Sequence, residues 1–391
     1  MKRLLNLPKS TLFFYFLLIF ISVEAFNKIF FFNTDQDFIV QKVVKLIALA
    51  LMLGMLLYQS PRKLIIPALL IGFFLLGQVF LPDSFVFSSV IGFSRYLFFI
   101  IMILFFADFQ QLSFNKTQLI FKFWEIFLWI NNILIFLAVA FNLFIFKAYI
   151  NERWGYNGLI TASSNSTYLY LVALLYFFIR FPKTYFKKPL FWLSIIAAFC
   201  TGTKSIYLGV LLFGFIALVS FPLPKKWKWP LILGLFLIGM ASMLLLFSSE
   251  LFTGIIQEDG WLSAILSYRD ELLIEDTLPY IQENWRTIHY FVGGLSQPLA
   301  RPQLELIDLF LYFGALGMLP YLYLFFKNYF NFSLQIREIA FYVVLLTVPL
   351  ITGNFFYNAS VPIYLILLKL VIKEREFTSR TARSNQKLKP V

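Results

Sequence analysis

The chain has 391 residues, 60% of them hydrophobic, 20% aromatic and only 14% charged, with a mean hydropathy of +0.79. A soluble domain carries about a quarter charged residues, so this composition excludes one and predicts an all-α polytopic membrane protein. The net charge of +13 is spread over connecting segments rather than gathered on one face, which argues against a nucleic-acid patch.

A single cysteine, Cys200, and a single histidine, His289, argue against a disulfide framework, a zinc site or a haem site, and no cofactor is expected. Neither a P-loop nor an HExxH, dinucleotide or GxSxG motif is present, so ATP-driven transport by this chain alone is not expected.

In chain order, apolar runs predict about twelve crossings, at 11–32, 40–58, 64–81, 93–109, 119–141, 161–179, 186–201, 205–221, 229–247, 309–326, 338–352 and 355–372. They form one transmembrane domain over 1–372, followed by a short basic tail, 373–391, expected to be disordered near anionic lipid. The start MKRLLNLPKS has no small-residue cleavage site after it, so the first run reads as a retained span rather than a signal peptide. Between 186 and 221 the apolar run is broken by Thr201-Gly202-Thr203-Lys204. Basic clusters flank it on both sides, Arg180, Lys183, Lys187 and Lys188 before, Lys225, Lys226 and Lys228 after. Both clusters belong to the inner side, which requires two helices with Lys204 at their outer turn. Extended along the chain, the same bias puts both termini in the cytoplasm and the long polar loop, 248–308, outside. Asn131 and Asn132 in the fifth span read as interhelical hydrogen-bonding residues.

A loop of that length is expected to be functional. Within it Ile281, Trp285, Ile288 and Val292 repeat at helical spacing while Gln282, Arg286 and His289 share another face, which predicts an amphipathic helix on the membrane surface.

Four outer features carry candidate chemistry. They are Glu152-Arg153-Trp154-Gly155 with Ser163, Ser164 and Asn165; the Thr201–Lys204 turn with Ser205; the charged run from Arg269-Asp270-Glu271 to Arg286 and His289; and Arg301 with Glu305 and Asp308. Cations beside a carboxylate pair suit an anionic substrate and a proton transfer. Each also has a plainer role: Arg and Lys can snorkel to headgroups, Glu305 and Asp308 can favour a helix start, and His289 can be an interfacial aromatic.

On these residues the chain resembles the O-antigen polymerase and ligase superfamily (Wzy-like), nearest the capsular and exopolysaccharide repeat-unit polymerases of Gram-positive bacteria. The resemblance rests on Arg153-Trp154-Gly155 with Asn165; on Thr201-Gly202-Thr203-Lys204-Ser205; and on Phe291-Val292-Gly293-Gly294, Glu305, Asp308 and Gly314-Ala315-Leu316-Gly317. Ligase members carry a histidine near the Glu305 and Asp308 positions, whereas His289 lies sixteen residues before Glu305, which favours polymerase. The resemblance implies a glycosyltransferase-C-like fold and transfer of a growing glycan between polyprenyl-diphosphate-linked oligosaccharides at the outer face of a bacterial cytoplasmic membrane. Flippase and chain-length-regulator proteins would be its partners alongside membrane lipids. Arg153, Lys204 and Arg301 would stabilise the diphosphate, with Arg286 and Asn165 as further binding residues. Glu305 or Asp308 would be the base, with His289 next. A ligase-like transfer to another acceptor and a lipid-oligosaccharide flippase or other secondary transporter remain as alternatives.

Overall fold

The computed structural model describes residues 7–34, 39–83, 85–109, 114–149, 153–220, 224–248, 250–297 and 300–387. Its regular structure is helical, apart from one isolated bridge between Lys147 and Tyr156. The first half holds α1 (Lys9–Thr34), α2 (Ile39–Gln59), α3 (Ile65–Val79, entered through a 3-10 turn at Pro61–Leu64), α4 (Phe87–Phe105), α5 (Phe114–Phe141) and α6 (Ser163–Arg180). Then come α7 (Pro189–Cys200), α8 (Lys204–Ser220) and α9 (Lys225–Phe247). The loop contributes α10 (Glu250–Glu258), α11 (Gly260–Leu266), α12 (Leu278–Asn284) and α13 (Thr287–Val292). The chain closes with α14 (Glu305–Tyr329), α15 (Ile336–Thr352) and α16 (Val361–Lys387).

Each predicted apolar segment coincides with one of these helices. Among the described residues six spans are long and apolar enough to cross a membrane: α1, α2, α3 together with its leading 3-10 turn (Pro61–Val79), α4, α5 and α14. The others fall short of that description; α7 has 12 residues, and α8 and α15 have 17 each. At 1.5 Å per residue, 17 residues reach about 26 Å, less than a hydrocarbon core of about 30 Å. Large apolar side chains stay exposed along α2 and α3, including Leu46, Leu51, Leu57 and Leu69. A surface like this needs lipid rather than water, and the chain is a helical membrane protein.

The core runs between α6 and α16, which pack on one another. Asn165 to Ile179 are buried without interruption, as are Val361 to Ile372. Helices apolar on every face belong inside a bundle, and these two have the others around them.

Glycines lock the loop to the bundle. Gly314 (φ +59°) breaks the helical path of α14, and the Gly294 N–H donates to the Leu311 carbonyl at 2.8 Å. The approach is backbone against backbone: a β-carbon on Gly314 would lie 2.3 Å from the Phe291 carbonyl carbon. Only glycine serves there, for space and for its left-handed φ.

Two expectations are corrected. The single amphipathic helix through Ile281–Val292 is two helices broken at Trp285 and Arg286, where the backbone is extended. The Trp285 indole donates to the Gly294 carbonyl at 2.7 Å, and the Arg286 N–H donates to His289 Nδ1 at 2.7 Å, a local bond that starts the second helix. Residues 373–387, expected to be disordered, continue α16. Lys373 pairs with Glu376 at 3.2 Å, Arg375 with Glu338, and Glu376 accepts from the Ser333 backbone at 2.6 Å.

Candidate functional site

Two short glycine turns meet at one end of the bundle. Gly202 (φ +68°) and Gly155 (φ +151°) allow backbone 154–155 to lie directly on 201–202; a β-carbon on either would come within 2.3 Å of the facing carbonyl. The Tyr156 N–H closes the contact on the Cys200 carbonyl at 2.8 Å. Side chains flanking the two turns, Arg153 and Lys204, are thereby brought into one place. Arg153 Nη2 donates to the Gly202 carbonyl at 3.1 Å, and its guanidinium lies 4.1 Å from the Tyr149 ring centroid. Lys204 Nζ donates to the Ala264 carbonyl of α11 and sits 4.3 Å from the Phe252 ring.

From α1, a buried polar row anchors the segment that carries Arg153. Lys28 Nζ donates to the Lys147 carbonyl and, at 2.7 Å, to Asn157 Oδ1, while Asn27 donates to Thr161 Oγ1 at 3.1 Å. Thr161 leads directly into α6, whose first turns offer Ser163, Ser164 and Thr167; Thr167 and Ser205 share a hydrogen bond of 2.9 Å.

Together these elements enclose a cavity of about 230 Å³. Arg153, Lys204 and Arg269 line it. So do the hydroxyl-bearing residues Tyr149, Ser163, Ser164, Thr167, Tyr168, Thr203, Ser205, Ser267 and Thr352, and Gln303. Among the described residues Ile265 is the one aliphatic side chain in the lining, and no carboxylate is part of it. All three cations have backbone carbonyls as partners, Arg269 Nη1 donating to Leu266 at 3.1 Å; among the described residues none forms an ion pair. Burial lowers the Arg269 guanidinium from its ordinary value, with Tyr168 and Asp308 opposing that shift. Burial likewise pushes the Tyr149 phenol up. Arg269 follows two successive non-glycine residues in the left-handed region, Ser267 (φ +58°) and Tyr268 (φ +64°), which turn the chain back over the cavity.

Glu305, Asp308 and Arg301 lie together, but behind this cavity rather than in its lining. Glu305 is 1% exposed, and its two oxygens accept the backbone N–H groups of Phe355 and Phe356, each at 2.7 Å. Arg301 pairs with Asp308 Oδ2 at 3.1 Å, donates to Asn354 Oδ1 at 2.7 Å and stacks 3.7 Å from the Tyr357 ring centroid. Asp308 Oδ1 is buried and has no hydrogen-bond partner among the described residues. Gln303 connects the two groups, since it lines the cavity and its Oε1 accepts from Asn354 at 3.1 Å.

The remaining sequence candidates sit elsewhere. Asn165 is buried between α1 and α16, its amide 3.4 Å from both Glu24 Oε1 and Ser360 Oγ. His289 is fully buried, with Nδ1 taking the Arg286 N–H and Nε2 lying 3.2 Å from the Gly77 carbonyl. Both nitrogens therefore meet backbone groups, which fixes a neutral Nε2–H tautomer and leaves no lone pair for a substrate proton. Burial lowers its pKa from the usual value. Arg286 is exposed and does not line the cavity, and Glu152 lies outside the described residues. The residue the sequence reading left unassigned is Arg269. Its only local signal is its place at the head of the charged run in the loop.

No family model, curated protein or solved structure matches the chain.

Proposed function

We propose that the cavity binds the diphosphate of a polyprenyl-diphosphate-linked oligosaccharide. In this reading the protein is a glycosyltransferase-C-like enzyme of about twelve crossings that polymerises such repeat units at the outer membrane face. One observation carries the reading: Arg153, Lys204 and Arg269 converge on a cavity lined by hydroxyl-bearing residues, with neutral partners among the described residues. An anion would find charge with no competing carboxylate among the described lining residues, and a sugar would find hydroxyl-bearing partners.

The chemistry balances without further reactants. The acceptor sugar hydroxyl attacks the anomeric carbon, whose bond to the diphosphate oxygen breaks, and the diphosphate departs with the electron pair. Cations fixed in place stabilise the charge that develops on it. The hydroxyl proton passes to a carboxylate. Of the two candidates Asp308 is favoured, because its Oδ1 has no hydrogen-bond partner among the described residues while both Glu305 oxygens are engaged.

A secondary transporter would need ionisable residues along a path through the bundle. The buried Glu24, Lys28, Glu305 and Asp308 instead contact segments at the cavity's end, which supports the enzyme reading.

The test is purified protein in liposomes with lipid-linked repeat units, polymer length read on a gel, and pyrophosphate binding measured separately. Arg153→Ala and Arg269→Ala should each weaken pyrophosphate binding about 10- to 100-fold and abolish long polymer. Parental binding in both variants would overturn the assignment of the cavity.

A further inference from the structure

At the end of the bundle opposite the cavity, charges from four segments of the chain meet. Lys9 opens α1, Lys63 lies in the turn before α3, Asp108 follows α4, and Lys369 and Lys373 are one turn apart on α16. Lys63 pairs with Asp108 at 2.6 Å. Lys9 donates to the Phe105 carbonyl at 2.8 Å, Lys369 to the Asn328 carbonyl at 2.6 Å, and Lys373 to the Asn331 carbonyl at 2.6 Å. The Asn331 amide in turn donates to the Ala107 carbonyl at 2.9 Å, which draws the end of α4 to the segment between α14 and α15. A hydrogen bond from Lys63 holds the Asp108 carboxyl below the usual range against its partial burial, and the charges of Lys63, Lys9 and Lys369 add to that effect. Three ammonium groups are thus within electrostatic reach of one carboxylate.

The balance is unequal. Four lysines face Asp108 and Glu376, the acid that pairs with Lys373, so among the described residues lysines outnumber carboxylates by two in this cluster. Lys369 is 1% exposed, and Ser10, beside Lys9, is fully buried with a hydroxyl that has no partner among the described residues. Lys63, Lys373 and Asp108 remain open, at side-chain exposures of 30%, 23% and 41%. The carbonyls from Phe105 and Asn328 lie at the ends of α4 and α14, where a helix accommodates a cation without neutralising it. A basic pocket between membrane helices at the headgroup level suits a lipid phosphate.

We propose that this cluster binds the phosphate headgroup of an anionic phospholipid, seated among Lys9, Lys63 and Lys373 with Lys369 as the buried member. The site stands apart from the cavity and does not depend on the function assigned to it.

The test uses the full chain in detergent, titrated with phosphatidylglycerol and followed by native mass spectrometry and thermal unfolding. Saturable binding is expected, about 30-fold weaker in Lys63→Gln/Lys373→Gln, two half-exposed positions, at about five-fold for each lysine. The single variants serve if the double variant does not fold. Lys116→Gln/Lys183→Gln, which removes the same charge from two exposed lysines outside the cluster, should bind as the parent does. Equal loss in both double variants, or equal binding of phosphatidylcholine, would overturn the site. Saturation by inorganic phosphate at the same concentrations would assign it to a soluble anion and overturn the lipid.

Discussion

Glu305→Gln separates a base from a clamp. In the structure each Glu305 oxygen accepts one buried backbone N–H at 2.7 Å, and through Phe355 and Phe356 the side chain fixes the turn between α15 and α16 to the start of α14. Glutamine offers one oxygen; its NH2 group would face the second N–H, donor against donor. The substitution loses a hydrogen bond to a charged group, worth about 1.5–3 kcal/mol, and leaves buried donors unsatisfied at a further 1–3, roughly 3–6 kcal/mol together. With an unfolding entropy of about 2.1 cal/mol/K per residue, that is a fall in Tm on the order of 4–7 °C. The assay is thermal unfolding in detergent, beside polymerisation in liposomes. Asp308→Asn keeps an oxygen for Arg301 but removes its counter-charge, so it should cost a comparable amount, about 3–5 kcal/mol. Unlike a clamp variant that still folds, it should also lose about 100-fold or more in rate. If Glu305→Gln unfolds at the parental temperature and makes no polymer, Glu305 is the base and the clamp argument fails.

Other consequences can be checked on the same protein. His289 has a folded pKa below its unfolded value of about 6.5, so its contribution to stability is complete above that pH and is lost as pH falls through the folded pKa; His289→Gln should flatten that part of the Tm-against-pH curve. Gly314→Ala places a β-carbon 2.3 Å from the Phe291 backbone at a left-handed φ and should cost about 3 kcal/mol or more, read as Tm or as lost folded yield. In a Cys200→Ser background, cysteine at exposed Gln282 should react with an impermeant thiol reagent in intact cells and cysteine at exposed Thr378 should not; labelling at Thr378 alone would reverse the proposed orientation. Removing one partner of the Arg301–Asp308 pair should destabilise by about 3–5 kcal/mol, whereas Arg301→Met/Asp308→Leu should recover much of that loss.

The helices were legible because their apolar runs are long, and the two-helix reading of 186–221 followed from charge on either side of it. That reading also put Arg153 and Lys204 at one end, where the structure joins them. What escaped depends on partners distant in sequence. Nothing near Glu305 announces that backbone N–H groups fifty residues on will occupy it. His289 looks interfacial beside Trp285 and Tyr290 until Gly77, from α3, supplies a carbonyl. Helical spacing ran on through Trp285 and Arg286 because periodicity records faces rather than breaks, and the break comes from the Trp285 indole reaching Gly294. Arg269 reaches the cavity only because Ser267 and Tyr268 adopt a left-handed backbone, which neither residue type signals.

The separation between the cavity and the carboxylates has a physical logic. A carboxylate in the lining would pair with Arg153, Lys204 or Arg269 and compete with any anion that entered. Backbone carbonyls satisfy the N–H donors of Arg153 and Arg269 without a counter-charge, so each remains available to a phosphate oxygen. Burial, with Arg153 and Arg269 nearby, lowers Lys204 to about 7, and an arriving anion would restore its ammonium form. Glu305 is held by two N–H groups and Asp308 by Arg301, which keeps both acids out of that competition. They are still near enough to matter, since the Asp308 charge offsets part of the burial effect on Arg269, and Gln303 touches both sides. An anion arriving at Arg269 therefore changes the field at Asp308 across Gln303, and ligand binding and the proton affinity of the proposed base are coupled through one guanidinium.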